Sequence, residues 1–326
     1  MLSRVANSIY WLSRYVERAE NVARFLDVKF NLMLGSREPL HEQWEPLVSI
    51  TGDKVTFYEL YDAATRRNVL KFLALDRRNP NSIVACAEQA RENARSVREV
   101  IPVGIWEQLN KFYHFVQDAA ELGELDDPTQ FCEQVKLASH VINGMSESTM
   151  SHSDEWHFTR LGRLIERADK TSRIVDVQYY LLLPKPNDIG SAVDVIRWSS
   201  LLKSTNALST YRQLHGNILP SKVADFLILN RHFPRSMHHC LIFAQTSLQA
   251  IAGTAVGTFQ FTSEQLLGRL RSELDYTGID DIIGYGLHEF IDDFQSRLNQ
   301  LGEAIHKDFF TIPERPAMQR RTLQLA

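Results

Sequence analysis

A chain of 326 residues, 44% hydrophobic and 23% charged, can bury one large core or two ordinary ones, which sets intrinsic disorder aside. Its formal net charge of −4 and pI near 6.3 supply no global positive field, so neither nucleic acid nor an anionic membrane is an expected partner. Cys86, Cys132 and Cys240 are odd in number and lack CxxC spacing, which excludes a zinc ribbon or disulfide framework and suits the reduced thiols of a cytoplasmic protein.

The opening MLSRVANSIYWLSRYVERAEN spaces arginines where a signal peptide needs an apolar core, so export is not expected. Residues 3–34 contain neither Pro nor Gly, and Leu12, Tyr15, Val16, Ala19, Val22, Ala23 and Leu26 recur at three- and four-residue steps. This pattern predicts one amphipathic helix roughly 45–50 Å long, at about 1.5 Å per residue. Further helices are predicted over 64–75, 80–99, 101–119, 128–144, 154–183, 190–203, 221–230, 234–252, 262–275 and 284–309. No segment sustains strand alternation, so the fold class is all-α. The uncharged run from Cys240 to Ser263 is interrupted by Gln245, Gln249, Gly253 and Gly257 and reads as a buried helix rather than a membrane span. The tail 313–326, with two prolines and few apolar groups, reads as a flexible end.

One stretch occurs twice. RYVERAENVARFLDV at 14–28 returns as RLIERADKTSRIVDV at 163–177, and Leu12 to Leu34 aligns on Leu161 to Leu183 without gaps. VLKFLALDRRNPNSIVAC at 69–86 likewise matches VADFLILNRHFPRSMHHC at 223–240. Two matches in the same order predict a tandem duplication of a unit of roughly 150 residues: 1–148 and 149–312, packed as one pseudo-twofold helical bundle.

On a helical wheel Glu17, Glu20, Arg24 and Asp27 fall together, flanked by Arg14 and Arg18 and opposite the apolar stripe. The second copy repeats Arg163, Glu166, Arg167, Arg173 and Asp176. Three readings stay open: surface ion pairs, each worth only about 0.2–0.5 kcal/mol; a ligand or partner site; and a partly buried network. The network is favoured, because a surface face would accept Lys for Arg or Asp for Glu. It would hold Arg14, Glu17, Arg18, Arg24 and Asp27 against Arg163, Glu166, Arg167, Arg173 and Asp176.

The second repeated piece reads as a helix start, with Asn79 as cap, Pro80 in the first turn and Ser82 behind it; Phe233, Pro234 and Ser236 hold the same places later. Arg77 and Arg78 precede one start, and Arg231 and Arg235 surround the other, an arrangement able to receive a phosphate or carboxylate as well as to form an ordinary cap. After Pro80 the helix carries Arg91, Arg95 and Arg98 on one stripe, where the second copy has Gln245, Gln249 and Ala252. The uncharged copy is therefore expected nearer the centre, with the basic stripe facing either an acidic face of the repeated helix or an acidic partner.

No GxSxG, HExxH, Walker A or GxGxxG motif is present. Glu38 and His41 have Glu-x-x-His spacing but enclose Pro39, which suits a linker better than a di-metal bundle. His152, His157, His238 and His239 read as core or surface histidines, so no metal or other cofactor is expected.

The doubled Glu-Arg pattern, together with FLALDRRNPNSI, ARENARSVRE and FLILNRHFPRSM, resembles the bacterial alpha-E domain family over roughly residues 1–312. That resemblance implies an all-helical protein working beside a circularly permuted ATP-grasp protein and a transglutaminase-like peptidase in peptide-forming or peptide-modifying amide ligation. It transfers no catalytic residue; Glu17, Arg18, Glu166 and Arg167 match the naming motif. Two roles follow: a non-catalytic helical partner of the ligase, which is preferred, or an enzyme using Glu17, Arg24, Glu166 and Arg173 where the two helices meet. Homo-oligomerisation stays open.

Overall fold

The computed structural model describes residues 1–35, 44–181 and 192–311, and among these every regular element is helical. The Glu38/His41 pair and the tail from 313 lie outside the described residues. The first half contains α1 (Ser3–Gly35), α2 (Glu45–Thr51), α3 (Lys54–Leu60), α4 (Arg66–Leu70), α5 (Ile83–Ser96), α6 (Val103–Leu122) and α7 (Pro128–Thr149). The second contains α8 (Asp154–Leu181), α9 (Ala192–Ser204), α10 (Leu208–His215), α11 (Pro220–Ile228), α12 (Met237–Ala252), α13 (Thr262–Tyr276), α14 (Ile279–Tyr285) and α15 (Leu287–Ile305). A π-helical turn follows α4 at Lys71–Leu75 and α15 at His306–Phe310.

The long helices α1 and α8 pack against each other at the centre. Each also packs against the capped helix of its own half, α1 on α5 and α8 on α12, and against a later one, α1 on α7 and α8 on α15. Two short elements cross over, with α2 on α8 and α9 on α1. The inward stripe of α1 includes Val16, Ala19, Val22, Ala23 and Leu26, all at 2% exposure or less, so a helix with a charged face is still enclosed on nearly every side.

Three expectations change. Both capped helices start later than predicted, because Ser82 accepts from the Ala85 N–H and Ser236 from the His239 N–H. Asn79 and Pro80 belong to the preceding turn, where the Asn79 side chain donates to the Phe72 carbonyl and accepts from the Asn81 N–H. The helix predicted over 284–309 is interrupted at Gly286, whose φ of +112° an L side chain rarely adopts. Nor is the uncharged α12 more central than α5. Helix α5 turns its small residues Ala87, Ala90 and Ala94 inward, while Arg91 lies over the Trp106 and Tyr113 rings of α6 and Arg98 over Trp106. No described helix is long and apolar enough to cross a membrane, and α12 ends at the left-handed Gly253 within the uncharged run.

The two caps provide a direct check. Ser82→Ala and Ser236→Ala each cost about 1 kcal/mol in urea unfolding, the usual cost of losing an N-cap acceptor; Ser148→Ala, at an exposed position inside α7 that caps no helix, changes it by less than about 0.5 kcal/mol.

Candidate functional site

The charged faces of α1 and α8 meet inside the protein. Arg167 places Nε and Nη2 on the two oxygens of Glu17, at 2.9 and 2.8 Å. Arg18 returns the contact, with Nε 2.7 Å from Glu166 Oε1 and Nη2 3.1 Å from Oε2. Each Glu-Arg motif thus reaches the other helix through a planar guanidinium fork that fits a carboxylate, a geometry lysine lacks. Both glutamates are fully buried. Arg14 adds a second donor to Glu166 at 2.8 Å, and Lys170 approaches it at 3.6 Å.

Around each crossed pair lies a further shell. Glu20, fully buried, accepts from Arg24, Arg235 and Ser139. Arg24 also donates to the Ser204 carbonyl at the end of α9. On the other side Asp169 accepts from Arg173 and Lys170, and Arg173 donates to the Ile50 carbonyl at the end of α2. The crossover helices thus present backbone carbonyls to the two outer arginines. Arg18 also reaches Asn81, and Arg235 reaches Glu17, Glu20 and Asn21.

Burial alone would raise the carboxylate pKa values, but the surrounding cations outweigh it. Arg167 and Arg235 hold Glu17 below its ordinary value, Arg235 and Arg24 hold Glu20 well below it, and Arg18 and Arg14 do the same for Glu166. Stability from these groups is therefore complete above the unfolded value of 4.5 and is lost as pH falls from there towards the folded values. Burial raises Asp27 and Asp176, whose contribution has the opposite sign, so the three seam glutamates set the direction. The urea midpoint is lower at about pH 3 than at about pH 6; an equal midpoint at the two values contradicts a buried ionised seam.

Several sequence candidates sit elsewhere. Asp27 pairs with Lys136 of α7, Asp176 with His288 of α15, and Arg163 with Glu147, so these three lie beside the seam rather than in it. Arg77 is exposed beside Glu88, Arg78 clamps Asp76 under Tyr61, and Arg231 pairs with Asp275. Arg95 pairs with Glu92 on the surface. The stripe Arg91, Arg95 and Arg98 does not meet the acidic face of either long helix, because it points to α6 and solvent. Glu20 was placed on the charged face by sequence but not in the network, and Asp169 and Lys170 were not singled out, although their three- and four-residue spacing from Glu166 puts them on the same face.

The histidines have ordinary partners. His238 bridges the Leu229 carbonyl and Asp275, His239 reaches the Arg231 carbonyl, and His152 and His157 pack on Trp156. Among the described residues, Asp176, His288 and Asp292 bring ligand atoms within 4.8 Å of one another, and the pairing of His288 with both carboxylates accounts for this. All three cysteines are buried thiols, and burial pushes Cys86 and Cys240 up to about 12, which leaves no thiolate at neutral pH.

The family model described as an alpha-helical domain with a conserved ER motif matches residues 1–310. Glu17-Arg18 and Glu166-Arg167 are the Glu-Arg pairs that cross in the seam. The chain belongs to the Alpha-E family. It is similar to the uncharacterized proteins Mb2597 of Mycobacterium bovis and MT2643 and Rv2567 of Mycobacterium tuberculosis, 22% identical to each over 271 residues. These matches cover 77% of this chain and 30% of each relative, so the Alpha-E chain spans less than a third of the length of the curated relatives it matches. No solved structure matches it.

Proposed function

We propose that this Alpha-E protein is a non-catalytic helical partner of a cytoplasmic amide-ligation system, acting with a circularly permuted ATP-grasp ligase and a transglutaminase-like peptidase to make or modify peptides. The observation that carries the non-catalytic half is the crossed Glu17–Arg167 and Glu166–Arg18 pairing. A general acid or base works best with a pKa near the operating pH, whereas these carboxylates are fully buried, occupied by guanidiniums and held below their ordinary range. Arg24 and Arg173, the other members of an enzymatic reading, are committed to Glu20 and Asp169 and to helix-end carbonyls. In this reading the network of Arg14, Glu17, Arg18, Arg24, Glu166, Arg167 and Arg173 is structural.

The same proposal takes the chain as a tandem duplication, 1–148 and 149–312, with the crossed seam on its pseudo-twofold axis. The repeated motifs and the matched packing of α1 on α5 and α8 on α12 support it. The accessory role is tested with purified protein and the ATP-grasp ligase of the same organism, by co-elution and by ATP turnover with amino acids and peptides, together and apart. A stable complex with altered turnover is expected; separate elution with unchanged turnover overturns the reading.

A further inference from the structure

Of the positions at which the two halves of the seam differ, one lies beside a cavity. Asn81 reaches Arg18 in the first half, whereas in the second half the matched place holds Arg235, a longer cation that is 7% exposed. Arg235 inserts between Glu17 and Glu20, already served by Arg167 and Arg24. Beside it lies a solvent-open cavity of about 380 Å³, within the range of small-ligand sites, lined by Arg24, Arg163, Arg167 and Arg235. Helices α1, α7 and α8, the α9–α10 turn and the segment before α12 form its walls.

Three observations point to an anion-binding site. The four guanidiniums face three carboxylates, Glu17, Glu20 and Glu147, which leaves one positive charge uncompensated. Burial and then repulsion by Arg24 push Arg235 down to about 10, the direction expected where buried cations outnumber their partners. Arg163, which is 8% exposed, has a buried Nε without any hydrogen-bond partner, although its Nη2 reaches Glu147. A buried donor of this kind costs about as much as a lost hydrogen bond unless something accepts from it. The α9–α10 turn at the rim also holds Asn206 at φ +53°, among the described residues the one non-glycine with positive φ. Such backbone tends to collect at binding sites.

We propose that this cavity binds the carboxylate group of a small monoanionic metabolite, with the guanidiniums holding the carboxylate and Phe233 and Pro234 receiving an apolar substituent. A single uncompensated charge is balanced by a carboxylate and overshot by a phosphate dianion. The apolar wall beside the arginines fits a molecule that carries one charged end. The full chain is titrated calorimetrically at constant ionic strength with N-acetylleucine, its uncharged amide and inorganic phosphate.

Two variants keep the test separate from folding. Arg163→Gln removes the unpartnered Nε and leaves only the exposed Glu147 without its cation. Gly144→Leu fills the cavity from α7, where a Cβ meets no other atom within 4 Å. The acid is expected to bind saturably, the amide at least about tenfold more weakly, with Arg163→Gln costing about tenfold and Gly144→Leu abolishing binding, both variants melting cooperatively. The assignment is overturned by equal binding of acid and amide, by binding of phosphate alone, by binding that survives both substitutions, or by no saturable signal up to about 10 mM acid.

Discussion

Glu166→Gln lowers the unfolding free energy by about 3–5 kcal/mol, the scale seen when one partner of a buried ion pair is removed. Glutamine fits the same volume, so the loss is electrostatic. Glu166 is fully buried and accepts from Arg14 and Arg18 at 2.7–3.1 Å. Without its charge, the Arg14 and Arg18 guanidiniums remain desolvated with no carboxylate partner, and Lys170 keeps only Asp169; the three side chains are 12–16% exposed. The surface pair Arg67–Glu124, 77% and 67% exposed, is the control, and Glu124→Gln changes stability by less than about 0.5 kcal/mol. Urea unfolding measures both. The double variant Glu166→Gln, Arg18→Met recovers at least about 1 kcal/mol relative to additivity, because the orphaned charge is removed with its partner. A loss below about 1 kcal/mol for Glu166→Gln would mean that the seam admits water and that its arginines are solvated.

The long helices and their charged face could be read from residues alone because two signals coincided. An apolar stripe at helical spacing set the buried side of α1, and a doubled Glu-Arg pattern marked a face where Lys or Asp would not serve. Partner identity was not legible, since a helical wheel orders residues on one helix and says nothing of what stands across from it. Asp27 and Asp176 share the face of Glu17 and Glu166, yet α7 and α15 supply Lys136 and His288 at that level and draw them out of the seam. Arg235 was legible as a cation near a helix start, but its insertion between Glu17 and Glu20 depends on α12 packing against α8. The short helices α2, α3 and α10, of seven, seven and eight residues, carry too few turns for a periodic pattern to emerge. Helix α2 is further disguised by Pro46 in its first turn and Gly52 at its end, which read as loop punctuation but serve as start and stop.

Among the described glycines, Gly162 is the one at which an added Cβ would meet backbone closer than 3.0 Å. A Cβ there would lie 2.4 Å from the Tyr10 carbonyl oxygen and 2.4 Å from Ser13 Oγ, distances that side-chain motion cannot relieve because one of the atoms is backbone. By the 149-residue offset of the repeat, Gly162 corresponds to Ser13, so α1 and α8 cross where a position meets its own counterpart and only a hydrogen fits between them. Gly162→Ala costs about 1–3 kcal/mol by forcing the helices apart, and Gly162→Leu costs more or prevents folding. Alanine favours a helix over glycine by about 1 kcal/mol, so propensity predicts the opposite sign. Gly144→Ala, at an open helical position, gains up to that amount and isolates the steric effect. Separating the helices also stretches the Glu17–Arg167 and Glu166–Arg18 forks, whose residues all lie little more than one turn from the crossing, so Glu166→Gln costs less in the Gly162→Ala background than in the wild type. Equal costs in the two backgrounds would separate the close approach from the charged seam and make the glycine a local packing requirement alone.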